Sequence, residues 1–126
     1  MSDARILYIE DNPENRLLVR RILEVEGYVV LEATDGPAGL EMAVQLQPDL
    51  ILLDINLPEI DGYDLARRFR DTPSLGGVPI LALTANVMQG DRERTLDAGC
   101  DGYIQKPIDV DKLPQQVRRA LRKASM

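Results

Sequence analysis

Short apolar runs alternate along this chain with amphipathic stretches, and four of the runs end in polar groups. Ile6-Leu7-Tyr8-Ile9 leads to Glu10-Asp11, and Leu50-Ile51-Leu52-Leu53 leads to Asp54. Pro79-Ile80-Leu81-Ala82-Leu83 leads to Thr84, and Gly102-Tyr103-Ile104 leads to Lys106-Pro107. Runs of this length between helical patterns read as buried parallel strands. The predicted strands cover residues 5–9, 28–32, 50–54, 78–83 and 102–104.

The stretches between them predict five helices. The first covers residues 13–26, with Leu18, Ile22 and Val25 on one face and Gly27 as its stop. The second opens at Asp35-Gly36-Pro37, carries Leu40, Ala43, Val44 and Leu46, and breaks at Pro48-Asp49. The third covers residues 63–70, with Leu65, Ala66 and Phe69 apolar, and Gly76-Gly77 separates it from the fourth strand. The fourth covers 87–98 and ends at Gly99. The fifth starts at Asp109 or Asp111 and runs to Lys123, with Leu113, Val117 and Leu121 spaced by four. Pro114 fits only in its first turn.

Five βα units predict an α/β protein with a doubly wound parallel sheet, because right-handed crossovers place helices on both faces. The flavodoxin-like (βα)5 strand order 2-1-3-4-5 is expected. That order makes the first and third strands neighbours, so Glu10, Asp11 and Asp54 meet at the carboxyl edge, where such sheets build their sites.

Length and charge narrow the options. The 126 residues suit one domain covering 1–126. No apolar stretch approaches a membrane span, and Met1-Ser2-Asp3-Ala4-Arg5 leads straight into a strand, so neither membrane nor signal peptide is expected. The single Cys100 fits a reducing compartment, and a cytoplasmic location is expected. The absence of His excludes a Ser-His-Asp triad, a His-based zinc site and a phosphohistidine carried by this chain. A formal net charge of -6 disfavours nucleic acid as a partner.

Each polar group at the edge has a chemical reading. Asp54 can accept a phosphoryl group as an acyl phosphate; it also suits a turn or cap after a strand. Glu10 and Asp11 can share a divalent cation with Asp54, relieving carboxylate repulsion. Asp11 or Asn12 equally suits capping of the first helix ahead of Pro13. Thr84 can hydrogen-bond a phosphoryl oxygen, and Lys106 can pair with it and with Asp54. A cis Lys106-Pro107 bond would aim the lysine inward. Together these groups follow the logic of phosphoryl transfer, which is positioning plus charge neutralisation.

At these residues the chain resembles the receiver domain of two-component response regulators over essentially its full length. The likeness rests on Tyr8-Ile9-Glu10-Asp11-Asn12, on Asp54 with Leu57-Pro58-Glu59-Ile60-Asp61-Gly62, on Leu83-Thr84-Ala85, and on Gly99 through Pro107. The resemblance implies that Asp54 takes phosphate from a partner's phosphohistidine, on a histidine kinase or a histidine phosphotransfer protein. It implies Mg²⁺ (or Mn²⁺) held by Asp11, by Glu10 through water, by Asp54 and by the backbone carbonyl of Asn56. Thr84 and Lys106 would bind the phosphoryl oxygens, and Tyr103 would turn inward as the switch aromatic. The face around the fourth helix, fifth strand and fifth helix would then change its affinity for a downstream protein. On this reading the chain assists only its own phosphorylation and dephosphorylation and is not otherwise an enzyme.

Met88-Gln89-Gly90-Asp91-Arg92-Glu93-Arg94 with Gly99-Cys100-Asp101 resembles stand-alone regulators of the cell-cycle and polarity type, and also receivers attached to hybrid histidine kinases. The short ends favour the stand-alone form without an output domain. Two features depart from or modulate the family pattern. Glu10 is longer than the Asp often found there, and Asn56 and Asn86 occupy positions that flank the attacking water's route. A degenerate receiver used only for binding would lack the acids, Thr84 and Lys106 present here. A haloacid-dehalogenase-type phosphatase needs a second acid that Asp54-Ile55-Asn56 lacks. A flavodoxin needs a Gly- or Ser/Thr-rich phosphate loop where Glu10-Asp11-Asn12-Pro13 stands. Oligomeric state stays open. Arg16, Arg20 and Arg21 with Arg118, Arg119, Arg122 and Lys123 form a candidate basic surface for an acidic partner.

Overall fold

A computed structural model describes residues 4–57, 60–85 and 89–124, with backbone only over 89–92. The elements follow in the order β1 (Arg5–Ile9), α1 (Pro13–Val25), β2 (Val29–Ala33), α2 (Gly36–Leu46), β3 (Leu50–Asp54) and α3 (Gly62–Asp71). After a 3-10 turn at Pro73–Leu75 come β4 (Ile80–Thr84), α4 (Gln89–Asp97), β5 (Gly102–Gln105) and α5 (Lys112–Ala124). The five strands form one parallel sheet in the order β2-β1-β3-β4-β5, the flavodoxin-like order expected.

Alternation along the strands sorts side chains between two cores. Ile6, Tyr8, Leu50, Leu52, Leu81, Leu83 and Ile104 pack under α1 and α5, against Val19, Leu23, Leu113 and Val117. Leu7, Ile9, Ile51, Leu53, Ile80 and Ala82 pack under α2 and α3, against Ala43, Leu65, Ala66 and Phe69. The same parity carries past the strand ends. Glu10, Asp54 and Lys106 continue the α1–α5 side, whereas Thr84 and Tyr103 belong to the other.

Caps explain several boundaries. Asn12, not Asp11, caps α1: its side chain accepts the Asn15 amide, with Pro13 in the first turn. Asp11 is thereby left exposed and available at the sheet edge. Asp35 caps α2 and Asp61 caps α3. Helix α5 begins later than expected, because Asp109 Oδ1 first accepts the amides of Asp111 and Lys112. Pro114 therefore falls in its first turn. Gly27 and Gly99 close α1 and α4 with φ of 91° and 96°. The proposed start of the fourth helix at Val87 lies outside the described residues.

Two helix faces differ from expectation. In α1 the buried side chains are Val19 and Leu23, while Leu18 and Val25 are exposed. This helix has apolar residues at 17, 18, 19, 22, 23 and 25, too many to define one stripe, and the sheet selects one turn of the helix over another. In α2 the buried positions are Gly36, Gly39 and Ala43, while Val44 and Leu46 lie largely outside. Small residues let α2 lie close on β1, since a Cβ at Gly39 would stand 2.5 Å from Ile9 Cδ1. The stretch read only as a Gly76-Gly77 separator holds the 3-10 turn, which buries Leu75 completely.

Candidate functional site

The carboxyl ends of β1, β3 and β5 bring one ammonium between two buried carboxylates. Lys106 Nζ lies 3.2 Å from Glu10 Oε1 and 3.2 Å from Asp54 Oδ2. Glu10 and Asp54 are only 1% and 2% exposed. Asp11 joins them, so that carboxylate oxygens of Glu10, Asp11 and Asp54 all lie within 4.8 Å of one another. The Lys106-Pro107 bond is cis.

Local bonds hold each group. Asp54 Oδ1 accepts the Asn56 amide at 3.0 Å, and the Ile55 amide donates to Leu83 O. The loop after Asp54 is pulled back on itself, with the Gly62 amide donating to Ile55 O at 3.2 Å. Only glycine permits this approach, because a Cβ at 62 would lie 2.5 Å from Ile55 Cα. Thr84 ends β4, is buried, and its carbonyl accepts the Lys106 amide at 2.8 Å. Tyr103 stands beside Ala82 in the sheet and packs, half-buried, against the α2–α3 core. Asn86, Pro58 and Glu59 lie outside the described residues.

Several contributors carried no sequence signal for the contact they make with Glu10. The Tyr8 hydroxyl donates to Glu10 Oε1 at 3.0 Å, Asn15 Nδ2 donates to the same oxygen at 3.4 Å, and the Asn12 amide donates to Oε2 at 3.4 Å. Arg16 Nη1 donates to the Glu10 carbonyl at 2.8 Å. Tyr8 reads as one more strand residue; its two-residue offset from Glu10 was the available clue.

The candidate basic surface is also partly absorbed within the molecule. Arg16 and Arg20 reach Glu32 at 3.5 and 2.7 Å, and Arg118 reaches Glu26 at 2.9 Å. Glu32 sits on β2 beneath α1, a neighbour that helix periodicity could not reveal.

The charges settle what the pocket can hold. Three carboxylates beside a single ammonium leave the pocket with excess negative charge. All the clustered donors are oxygens, the set a hard divalent cation takes. Burial pulls the Lys106 ammonium down, but the carboxylates of Asp54 and Glu10 outweigh it, and its pKa lies above the ordinary lysine value. Burial, then the charge of Glu10, holds the Tyr8 phenol well above its usual range, so it remains a proton donor to Glu10.

This fold, with acids, a hydroxyl and a lysine at one sheet edge, defines a class that comparison with known proteins identifies. Residues 6–118 match the response regulator receiver domain, and the chain belongs to that family. It is 44% identical over 119 residues to the DNA-binding dual master transcriptional regulator RpaA of Synechocystis sp., covering 94% of this chain but 49% of that protein. The chain thus spans about half the length of that relative. It is 37% identical over 116 residues to the polar-differentiation response regulator DivK of Brucella anthropi, covering 92% of this chain and 94% of DivK. The receiver domain of the sensor histidine kinase PA1611 from Pseudomonas aeruginosa superposes with a TM-score of 0.88 at 38% identity, covering 96% of this chain and 99% of that one. That crystal structure has a magnesium ion coordinated in its active site cleft. The chain is therefore a signalling receiver domain with an acidic pocket suited to Mg²⁺ and phosphorylation. Among the described residues no helix is long and apolar enough to cross a membrane.

Proposed function

We propose that this chain is a phospho-accepting switch in which Asp54 takes a phosphoryl group from a partner's phosphohistidine. The observation that carries the reading is the bridge of Lys106 between Asp54 and Glu10, 3.2 Å from each, beside Asp11. In the transfer the N–P bond of the donor breaks and an O–P bond to an Asp54 carboxylate oxygen forms. The departing imidazole keeps the electron pair.

Glu10, Asp11, Asp54 and the Asn56 carbonyl would hold Mg²⁺ or Mn²⁺. The cation would supply charge neutralisation for the incoming phosphoryl oxygens. Lys106 exchanges its pairing with the Asp54 carboxylate for one with a phosphoryl oxygen, and Thr84 donates its hydroxyl to another. Thr84 and Tyr103 lie on the sheet side opposite Glu10 and Asp54. Movement of Thr84 toward the phosphate therefore opens space on the Tyr103 side and alters the α4–β5–α5 face offered to a downstream protein. The chain acts on its own Asp54 and on no separate substrate. Its buried, free Cys100 suits a reducing cytoplasm.

The test is intact mass after incubation with Mg²⁺ and a small acyl-phosphate donor. The wild type is expected to gain one phosphoryl group, and Asp54→Asn or added EDTA to abolish the gain. An adduct that persists in Asp54→Asn would assign the acceptor elsewhere. The absence of any adduct or beryllofluoride binding would make the chain a binding module.

A further inference from the structure

The tyrosine of β1 does more than fill the core. Tyr8 is completely buried, yet its hydroxyl ends on Oε1 of Glu10, two residues along the same strand face. The same oxygen receives Asn15 Nδ2 and Lys106 Nζ, so one carboxylate oxygen takes three donors while Oε2 receives only the long Asn12 amide contact among the contacts described. Glu10 has an additional methylene relative to aspartate, hence an additional free torsion and roughly 1.5 Å more reach. An unrestrained glutamate would spread over several rotamers. The phenol restrains that freedom from within the core, out of reach of solvent.

We propose that Tyr8 is a positioning residue for the cation site: its phenol pins Oε1 and so fixes the orientation of the Glu10 carboxylate beside Asp11 and Asp54. Tyr8 and Glu10 then form one unit, in which the tyrosine compensates for the longer acid. This rests on the cation-binding reading above. Outer-layer partners of this kind commonly change metal affinity by roughly 10–100-fold.

The test is calorimetric titration of Mg²⁺ into the full chain, with thermal unfolding recorded alongside, for wild type, Tyr8→Phe, Glu10→Asp and the double variant. Tyr8→Phe keeps the ring and its packing, so the fold is retained. The expected result is Mg²⁺ binding weakened about tenfold by Tyr8→Phe in the Glu10 background. In the Glu10→Asp background the same substitution should change affinity by less than about twofold, because the shorter acid no longer reaches the phenol. Equal losses in both backgrounds would mean that the Tyr8 hydroxyl acts independently of the Glu10 side chain, and an unchanged affinity in Tyr8→Phe would remove its role; either overturns the proposal. A wild type that takes up no Mg²⁺ would overturn the cation-binding reading itself, an outcome distinct from those two. If Tyr8→Phe lowers the melting temperature, titration below both transitions still reads the ratio between backgrounds.

Discussion

The two helices that flank β5 are held by different forces. Helix α5 buries Leu113 and Val117 completely and Ala120 nearly so, in a regular stripe facing the sheet. Helix α4 has no such stripe among its described side chains. Among its described side chains only Thr95 is buried, and Leu96 is 53% exposed. Its apolar anchors, Ala98 and Cys100, come after its C-terminus. Polar contacts tie it to α3: Arg94 lies over the Tyr63 ring, 4.4 Å from its centroid, and 3.9 Å from Asp61. Beyond that end, Arg70 donates to the carbonyls of Gly99, Val78 and Gly76 and pairs with Asp101. The difference teaches where a phosphorylation signal can act. Displacing α5 would expose a core, whereas displacing α4 exchanges polar contacts for water at small cost.

The contrast can be broken most directly at α5. Leu113→Ala should destabilise the protein by about 3 kcal/mol through lost burial and a residual cavity. Urea unfolding reads this, and a loss under about 1 kcal/mol would deny α5 its anchoring role. Next comes the clamp beyond α4. Arg70→Ala strips a charged donor from three carbonyls and should cost about 2 kcal/mol. Amide exchange is expected to quicken at α4 and the 98–101 connection while α5 protection holds; a uniform increase would mean that the two helices unfold as one unit.

Cys100 tests the anchor itself through pH. Burial, the leading cause, pushes its thiol up to about 12, whereas an exposed thiol titrates near 8.5. The folded value is raised, so the stability this group supplies is full below about pH 8.5 and is lost as pH rises toward 12. Wild type should lose about 1 kcal/mol more than Cys100→Ala between about pH 8.5 and 9.5. Matching pH profiles in the two proteins would show that the thiol is open to solvent. The smallest effect is expected from Arg94→Ala, about 0.5 kcal/mol, because Arg94 is itself largely exposed and its Asp61 partner half-exposed. Its exchange signature should be confined to α4 and the start of α3. A loss above about 2 kcal/mol would make α4 as firmly held as α5.

Much of the candidate site was legible because it depends on strand ends. An apolar run that stops at an acid places that acid at the sheet edge, and the flavodoxin-like strand order makes β1 and β3 neighbours. That logic was sufficient to bring Glu10, Asp11 and Asp54 together, with Lys106 beside them and Thr84 at the end of the neighbouring strand. The helix faces were less legible. Alpha-helix α1 offers more apolar positions than it can bury, and α2 buries glycines that carry no hydrophobic signal.

What the sequence determined by itself was therefore the alternation of strands and helices, the parallel sheet and the identity of the charged groups at the strand ends, since each follows from local pattern and chain chirality. Only the tertiary structure decided the partners that cross between elements. Glu32 beneath Arg16 and Arg20, and Arg70 across to Gly99 and Asp101, are contacts set by packing distance. A one-dimensional pattern carries the direction of a side chain along its own element, but not what another element places in front of it.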